Sequence, residues 1–80
     1  MSANVETRLI AVFDQVLGPA VTREIVAKPH QGHPAWDSIA QINLVMAVEQ
    51  EFRVSFTPEE AGLTMTFEAL KETLAPKVPA

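Results

Sequence analysis

The longest stretch of the chain without Gly or Pro contains, from Trp36 to Phe52, the sequence WDSIAQINLVMAVEQEF. It predicts one helix over about 38–52, because its apolar residues recur at helical spacing and nothing in it interrupts the hydrogen-bond ladder. At about 100° per residue, these apolar residues divide into two faces roughly 140° apart. One face contains Leu44, Val45, Val48 and Phe52, and the other contains Ile39, Ile42 and Met46. One face can fill a core, and the second requires a separate explanation.

The N-terminal segment carries a simpler amphipathic pattern, which predicts a first helix over about 4–17. Its apolar residues at three- and four-residue spacing are Val5, Leu9, Val12, Phe13, Val16 and Leu17. Asn4 is suited to cap the start of this helix. Gly18-Pro19 ends it, because Gly accepts the left-handed conformation and Pro cannot continue the ladder.

The segment from Pro19 to Ala35 mixes polar and apolar residues and contains Pro29, Gly32 and Pro34. This composition predicts a long ordered loop, and loops of such length are usually functional or disordered. Three apolar residues of this loop are expected to pack against the core and anchor it there: Val21, Ile25 and Val26. A single helical turn over 22–27 is the alternative.

Two helix starts follow the central helix. Thr57-Pro58-Glu59-Glu60 combines a capping Thr, a first-turn Pro and a Glu three residues after the cap, which predicts a short helix over about 58–62 that Gly62 ends. Thr66 is suited to cap a last helix over about 67–75, which ends before Pro76. The order predicts an all-α bundle of four helices in a single domain, 1–80, with a long loop between the first and second helices and a short third helix.

Composition narrows the function. The net charge is −4 and the six basic residues are scattered, so nucleic acid is not an expected partner. No apolar run approaches the roughly 18 residues that span a bilayer and no basic region opens the chain, so we expect no membrane insertion and a cytoplasmic location. Without cysteine, any working thiol must be attached from outside.

His30 and His33 lie in a Pro/Gly-rich segment without further ligands nearby, which favours a solvated loop over a metal site.

Residues 37–52 resemble the acyl carrier protein family, in which an Asp-Ser-Leu signature opens the second of four helices. The resemblance extends through the helix order over most of the chain. It implies that Ser38 accepts phosphopantetheine from coenzyme A and that Asp37 helps to position Mg²⁺ and coenzyme A in the transferase complex, while Ile39 replaces the usual Leu. The implied function is that of a monomeric carrier, not an enzyme, which delivers an acyl or aminoacyl group held as a thioester.

The resemblance also implies partners, namely a phosphopantetheinyl transferase and the enzymes that load and accept the carried group. The side chains expected to contact them are Ile39, Ile42, Met46 and Glu49, although Ile42 fits the core equally well. The central helix departs from the acidic helix typical of carriers at four uncharged positions: Ala40, Gln41, Asn43 and Gln50. This departure favours a dedicated partner set in a specialised biosynthetic pathway.

Several interpretations remain open at the sequence level. Ser38 and Gln41 fit a capping box, which explains Ser38 without any modification. An unmodified helical adaptor would use the second apolar face for binding alone, and an aminoacyl or peptidyl carrier would share the same Ser-bearing helix. Trp36 is expected to anchor the preceding loop, with contact to the pantetheine arm as the alternative.

Overall fold

Five α-helices and one 3-10 turn build residues 3–78, the part of the chain that this computed structural model describes, with side chains from residue 5 onward. They are α1 (Ala3–Leu17), α2 (Pro19–Ala27), α3 (Ser38–Phe52), α4 (Pro58–Leu63), α5 (Phe67–Leu74) and the 3-10 turn Ala75–Lys77. Residues 3–78 contain no strand. The predicted all-α class is confirmed.

The core forms where α1, α3 and α5 meet. Six residues of these helices are completely buried: Leu9, Phe13, Leu44, Val48, Leu70 and Leu74. The Phe13 ring lies at the centre, with edge-to-face contacts to Trp36 at 5.1 Å and to Phe67 at 5.4 Å between ring centroids. Rings in this arrangement stabilise a core beyond the area they bury. The loop before α3 is therefore tied directly to α1 through Trp36, and indirectly to α5 through Phe13.

The loop predicted from Pro19 to Ala35 is wrong over its first half, where α2 forms. Gly18 adopts a φ of 93° between α1 and α2, and Pro19 then occupies the first turn of α2. Proline favours that position because its missing N–H has no helical partner there and its φ is already helical. The same Gly-Pro pair therefore ends one helix and begins the next. Ile25 and Thr22 lie on the buried side of α2. The predicted packing of Ile25 against the core is therefore confirmed.

The other boundaries lie close to those predicted. α3 spans the predicted range, and α4 continues through Gly62 to Leu63. Gly62 does not end α4, since Gly costs only about 1 kcal/mol inside a helix and needs a further signal to stop it. α5 ends at Leu74, and Pro76 lies in the 3-10 turn. The predicted Asn4 cap lies outside the described side chains.

α4 is held in place by polar contacts and not by buried apolar side chains. α4 has no buried residue, and a capping box between Thr57 and Glu60 orders its first turn. Lys77 Nζ lies 2.9 Å from Glu60 Oε1. The hydrogen bond from the Thr57 backbone N–H and the contact with Lys77 hold the pKa of Glu60 below its ordinary value of 4.5. A second ion pair joins α1 to α3, between Arg8 Nε and Glu51 Oε2 at 3.0 Å.

Candidate functional site

The start of α3 places Asp37 and Ser38 in different roles. Asp37 is the cap, and its Oδ1 accepts a hydrogen bond from the Ala40 backbone N–H at 2.9 Å. Ser38 is the first helical residue and is exposed, and its hydroxyl has no hydrogen-bond partner among residues 5–78. The capping-box interpretation of Ser38 is therefore wrong, because Asp37 takes the cap one residue earlier. The Ser38 hydroxyl remains uncommitted.

The surroundings of Ser38 suit an attached phosphate. The first N–H groups of a helix have no helical acceptor, and the helix dipole places partial positive charge at this end. Asp37 already occupies the Ala40 N–H, so the backbone N–H groups of Ser38 and Ile39 are the first-turn donors without a helical acceptor at this end of α3. Stabilisation of a negative group at such a position is about 0.3–1 kcal/mol. This end of α3 can therefore stabilise a negative group, and no basic side chain of the described residues bonds to Ser38.

An exposed row of apolar side chains runs along α3 from the residue after Ser38. We call Ile39, Ile42 and Met46 the apolar stripe; they are 71%, 60% and 51% exposed. Core packing is therefore wrong for all three, including Ile42. Leu63 at the end of α4 is also 78% exposed. No charged residue occurs in α3 before Glu49, so the exposed side of this helix is uncharged over most of its length.

Glu49 has a structural use that the sequence did not suggest. Its side chain is half-buried, and its Oε2 accepts a hydrogen bond from the Phe56 backbone N–H at 2.8 Å. This contact joins the last turn of α3 to the segment leading into α4. The partner contact assigned to Glu49 stays a prediction, and its carboxylate already has a partner within the chain.

Gln41 has a role that its sequence interpretation did not include. It was named as an uncharged position of the helix and as the partner of Ser38 in a capping box, yet its side chain is buried and only 6% exposed. Its Oε1 accepts from Trp36 Nε1 at 2.6 Å, and its Nε2 donates to Ala61 O at 2.6 Å and Thr64 Oγ1 at 2.8 Å. Helical spacing contained the signal, because residue 41 lies three and seven residues before Leu44 and Val48 and so shares the buried face.

Trp36 anchors the loop, as expected. Its side chain is 3% exposed and packs on Phe13, and its backbone N–H donates to His33 O at 2.9 Å. A ring so deeply buried has no surface to offer a pantetheine arm, so that alternative is wrong. The turn that carries Asp37 and Ser38 thus begins at a fixed point in the core.

Comparison with known proteins yields no relative. No protein-family model, no curated protein and no solved structure matches the chain. The function proposed below therefore rests on the residues and geometry of this chain and on the resemblance of residues 37–52 to the carrier signature.

The two histidines have different surroundings in the structure. His30 is exposed, whereas His33 Nε2 lies 2.6 Å from Glu24 Oε1 on α2. The Ala35 backbone N–H donates to His33 Nδ1 at 3.0 Å, so Nδ1 accepts and Nε2 carries the proton donated to Glu24. This geometry holds the loop to α2 beside an open cavity of about 480 Å³. In the described part of the chain, no three His, Asp or Glu side chains group as metal ligands.

Within residues 3–78, no helix combines the length and the apolar character that crossing a membrane requires.

Proposed function

We propose that the chain is a carrier protein in which Ser38 accepts phosphopantetheine from coenzyme A and then presents an acyl or aminoacyl group as a thioester. The observation that carries the proposal is the exposed, uncommitted hydroxyl of Ser38 directly after the Asp37 cap, within a segment that resembles the carrier signature. A serine whose hydroxyl capped its own helix would have an alternative explanation. Here Asp37 does the capping, and Ser38 is left available.

The attachment reaction requires little of the carrier. Ser38 Oγ forms an ester bond to the pantetheine-bearing phosphorus of coenzyme A as the pyrophosphate bond breaks. The hydroxyl proton passes to a base of the transferase, and adenosine bisphosphate leaves. Since no basic side chain of the described residues bonds to Ser38, the transferase supplies the activation, and the chain supplies an accessible hydroxyl at a helix N-terminus.

Asp37 has room for the second role that the resemblance implies. The cap uses Oδ1, and the residue is exposed, so Oδ2 faces solvent without a partner in the described part of the chain. A carboxylate oxygen is a suitable ligand for Mg²⁺. Asp37 would therefore cap α3 and help to hold the metal ion and coenzyme A in the transferase complex.

The fold supports the same proposal. A long first helix, a central helix, a short helix and a final helix follow one another in the order that the resemblance implies. α2 occupies the first half of the connection between the first and central helices, and residues 28–37 remain as loop. The apolar stripe beside Ser38 offers the loading and acceptor enzymes an uncharged surface next to the attached group.

Intact mass tests the attachment. The protein is incubated with coenzyme A and a broad-specificity phosphopantetheinyl transferase, and we expect it to gain the mass of one phosphopantetheine. Ser38→Ala should abolish the gain while retaining wild-type helicity, because an exposed first-turn residue contributes little to stability.

The remaining serines of the chain, Ser2 and Ser55, provide the matched control. The double variant Ser2→Ala/Ser55→Ala should be modified like the wild type. Modification mapped to either of these serines, or a wild type that stays unmodified with several transferases, would overturn the proposal.

The second candidate is an unmodified helical adaptor, and the exposure of the apolar stripe favours it. Three large apolar side chains in one row are exposed by half or more, and such rows mark binding surfaces with or without a prosthetic group. An adaptor would bind its partner equally well as the Ser38→Ala variant. A carrier would lose transfer with that substitution.

A further inference from the structure

Trp36 and Gln41 are joined across the start of α3. In many helices, apolar side chains immediately before the cap and at the fourth helical residue pack together, and this contact fixes the angle at which the chain enters the helix. Trp36 and Gln41 occupy these two positions around the Asp37 cap. Here the contact is a hydrogen bond of 2.6 Å between two buried side chains. We call this pair the polar staple; it spans Asp37 and Ser38.

The polar staple has one orientation. An indole N–H only donates, so Gln41 Oε1 must face Trp36, and the amide nitrogen then faces Ala61 O and Thr64 Oγ1 at 2.6 and 2.8 Å. Among residues 5–78, every fully buried side-chain polar atom has a hydrogen-bond partner. A fully satisfied buried network holds its members in a single arrangement. The end of α4 therefore fixes Gln41, and Gln41 fixes the turn before α3.

The other end of the polar staple is fixed by the core. The Trp36 ring meets the Phe13 ring at an angle of 79°, and Phe13 is completely buried. The turn that carries Ser38 is thus held between the aromatic core on one side and α4 on the other. Among the residues whose side chains are described, none forms a hydrogen bond with the Ser38 hydroxyl, so the position of this hydroxyl follows from the backbone of the turn.

We propose that Gln41 is a positioning residue, which together with Trp36 holds the turn in the geometry in which Ser38 accepts phosphopantetheine. This inference rests on the proposed carrier function. Group transfer proceeds when the reacting atoms lie about 3–3.5 Å apart and aligned, and a displacement of about 1 Å can lower the rate about 100-fold. Releasing the polar staple should therefore slow the transfer step itself, beyond any effect on stability.

Two variants release the polar staple in different ways. Trp36→Phe keeps an aromatic ring against Phe13 but removes the indole donor, whereas Gln41→Leu removes the whole set of hydrogen bonds. We expect both to lower kcat for modification by roughly 10- to 100-fold, with a smaller change in the KM for the carrier. Rates are measured by intact mass over a range of carrier concentrations, at a temperature where circular dichroism shows each variant folded.

Two controls separate positioning from stability. Val48→Ala removes core volume from the buried face of α3 without touching the polar staple, so it should lower stability yet be modified at the wild-type rate while folded. Thr64→Val removes one hydrogen bond to Gln41 but leaves Ala61 O and Trp36 in place. Its loss of rate should be smaller than that of Gln41→Leu.

The outcomes distinguish the two proposals. A modified wild type with slow Trp36→Phe and normal Val48→Ala supports the positioning role. Wild-type rates in Trp36→Phe and Gln41→Leu, or an equal loss in Val48→Ala, overturn the positioning role and leave the carrier function standing. A wild type that is never modified overturns both. If Gln41→Leu does not fold, Trp36→Phe decides.

Discussion

The two faces of α3 both carry large apolar side chains and have opposite surroundings. Leu44 and Val48 are completely buried and Phe52 is 5% exposed, whereas Ile39 and Ile42 are 71% and 60% exposed. α1 covers the first face, and no described element covers the second. Apolar composition therefore identifies α3 as a helix with two interfaces, one made within the chain and one left open. Exposed apolar rows of this kind are common at binding surfaces, which supports the proposed contact with a partner.

The sharpest test of this contrast is truncation on the buried face. Phe52→Ala should lower the free energy of unfolding by about 3–5 kcal/mol. The change also removes the ring beneath the Arg8 guanidinium, whose carbon lies 4.4 Å from the ring centroid. Because a domain of this size retains only about 3–5 kcal/mol of stability, most of the population should unfold. Urea unfolding followed by circular dichroism measures the loss.

Met46→Ala provides the matched truncation on the exposed face. It should change stability by less than about 0.5 kcal/mol. If Phe52→Ala instead unfolds at the same urea concentration as the wild type, the two faces have been assigned the wrong way round.

Glu49 lies at the edge between the faces and allows a finer test. Glu49→Ala should lower the free energy of unfolding by about 1 kcal/mol, because the Phe56 N–H loses its acceptor. Glu49→Gln retains an acceptor oxygen and should lose less. Gln50→Ala, at an exposed neighbouring position, is the control and should be neutral. Normal stability combined with impaired transfer in Glu49→Ala would instead place Glu49 in the partner contact.

The smallest effect on stability, and the most informative for function, is expected within the apolar stripe. Met46→Glu should change the free energy of unfolding by less than about 0.5 kcal/mol, since the side chain is already half in solvent. It should impair transfer to the partner enzyme by placing a charge in an apolar contact. The wild-type transfer rate should fall only modestly between low and physiological salt. Salt screens interactions between charges, whereas contacts between apolar side chains depend little on ionic strength.

The control for Met46→Glu is Asn43→Glu, which adds the same charge to an exposed position beside the stripe. It should affect transfer less. Loss of helicity in Met46→Glu would show that the stripe belongs to the core. An equal effect of both variants would show that charge alone is responsible.

The sequence predicted most of this arrangement and missed two parts of it. The bounds of α3 and the burial of Phe13 and Phe52 follow from local periodicity. α2 was missed because Pro19 was interpreted only as the end of α1, although proline also favours a first helical turn. The local sequence is compatible with Pro19 after the end of one helix and with Pro19 in the first turn of another. The burial of Ile25 and Thr22 favours the second helix.

Gln41 was missed for a different reason. Its residue type suggested the surface, while its spacing from Leu44 and Val48 indicated the core. A buried amide is stable only if its hydrogen bonds are satisfied, and its partners come from the preceding loop and from the end of α4. Local periodicity does not bring Trp36, Ala61 and Thr64 together around one side chain. Only the fold resolves the conflict in favour of spacing.

The polar staple also gives the protein a built-in optical probe. The chain has one tryptophan and no tyrosine, so its ultraviolet emission comes almost entirely from Trp36. Because the indole is buried against Phe13 and its N–H is held by Gln41, that emission reports on the turn two residues before Ser38 and on the core beside it. The conformation of unlabelled protein can therefore be followed in real time by fluorescence. Any event that shifts the start of α3 should change the wavelength or the intensity of the Trp36 emission.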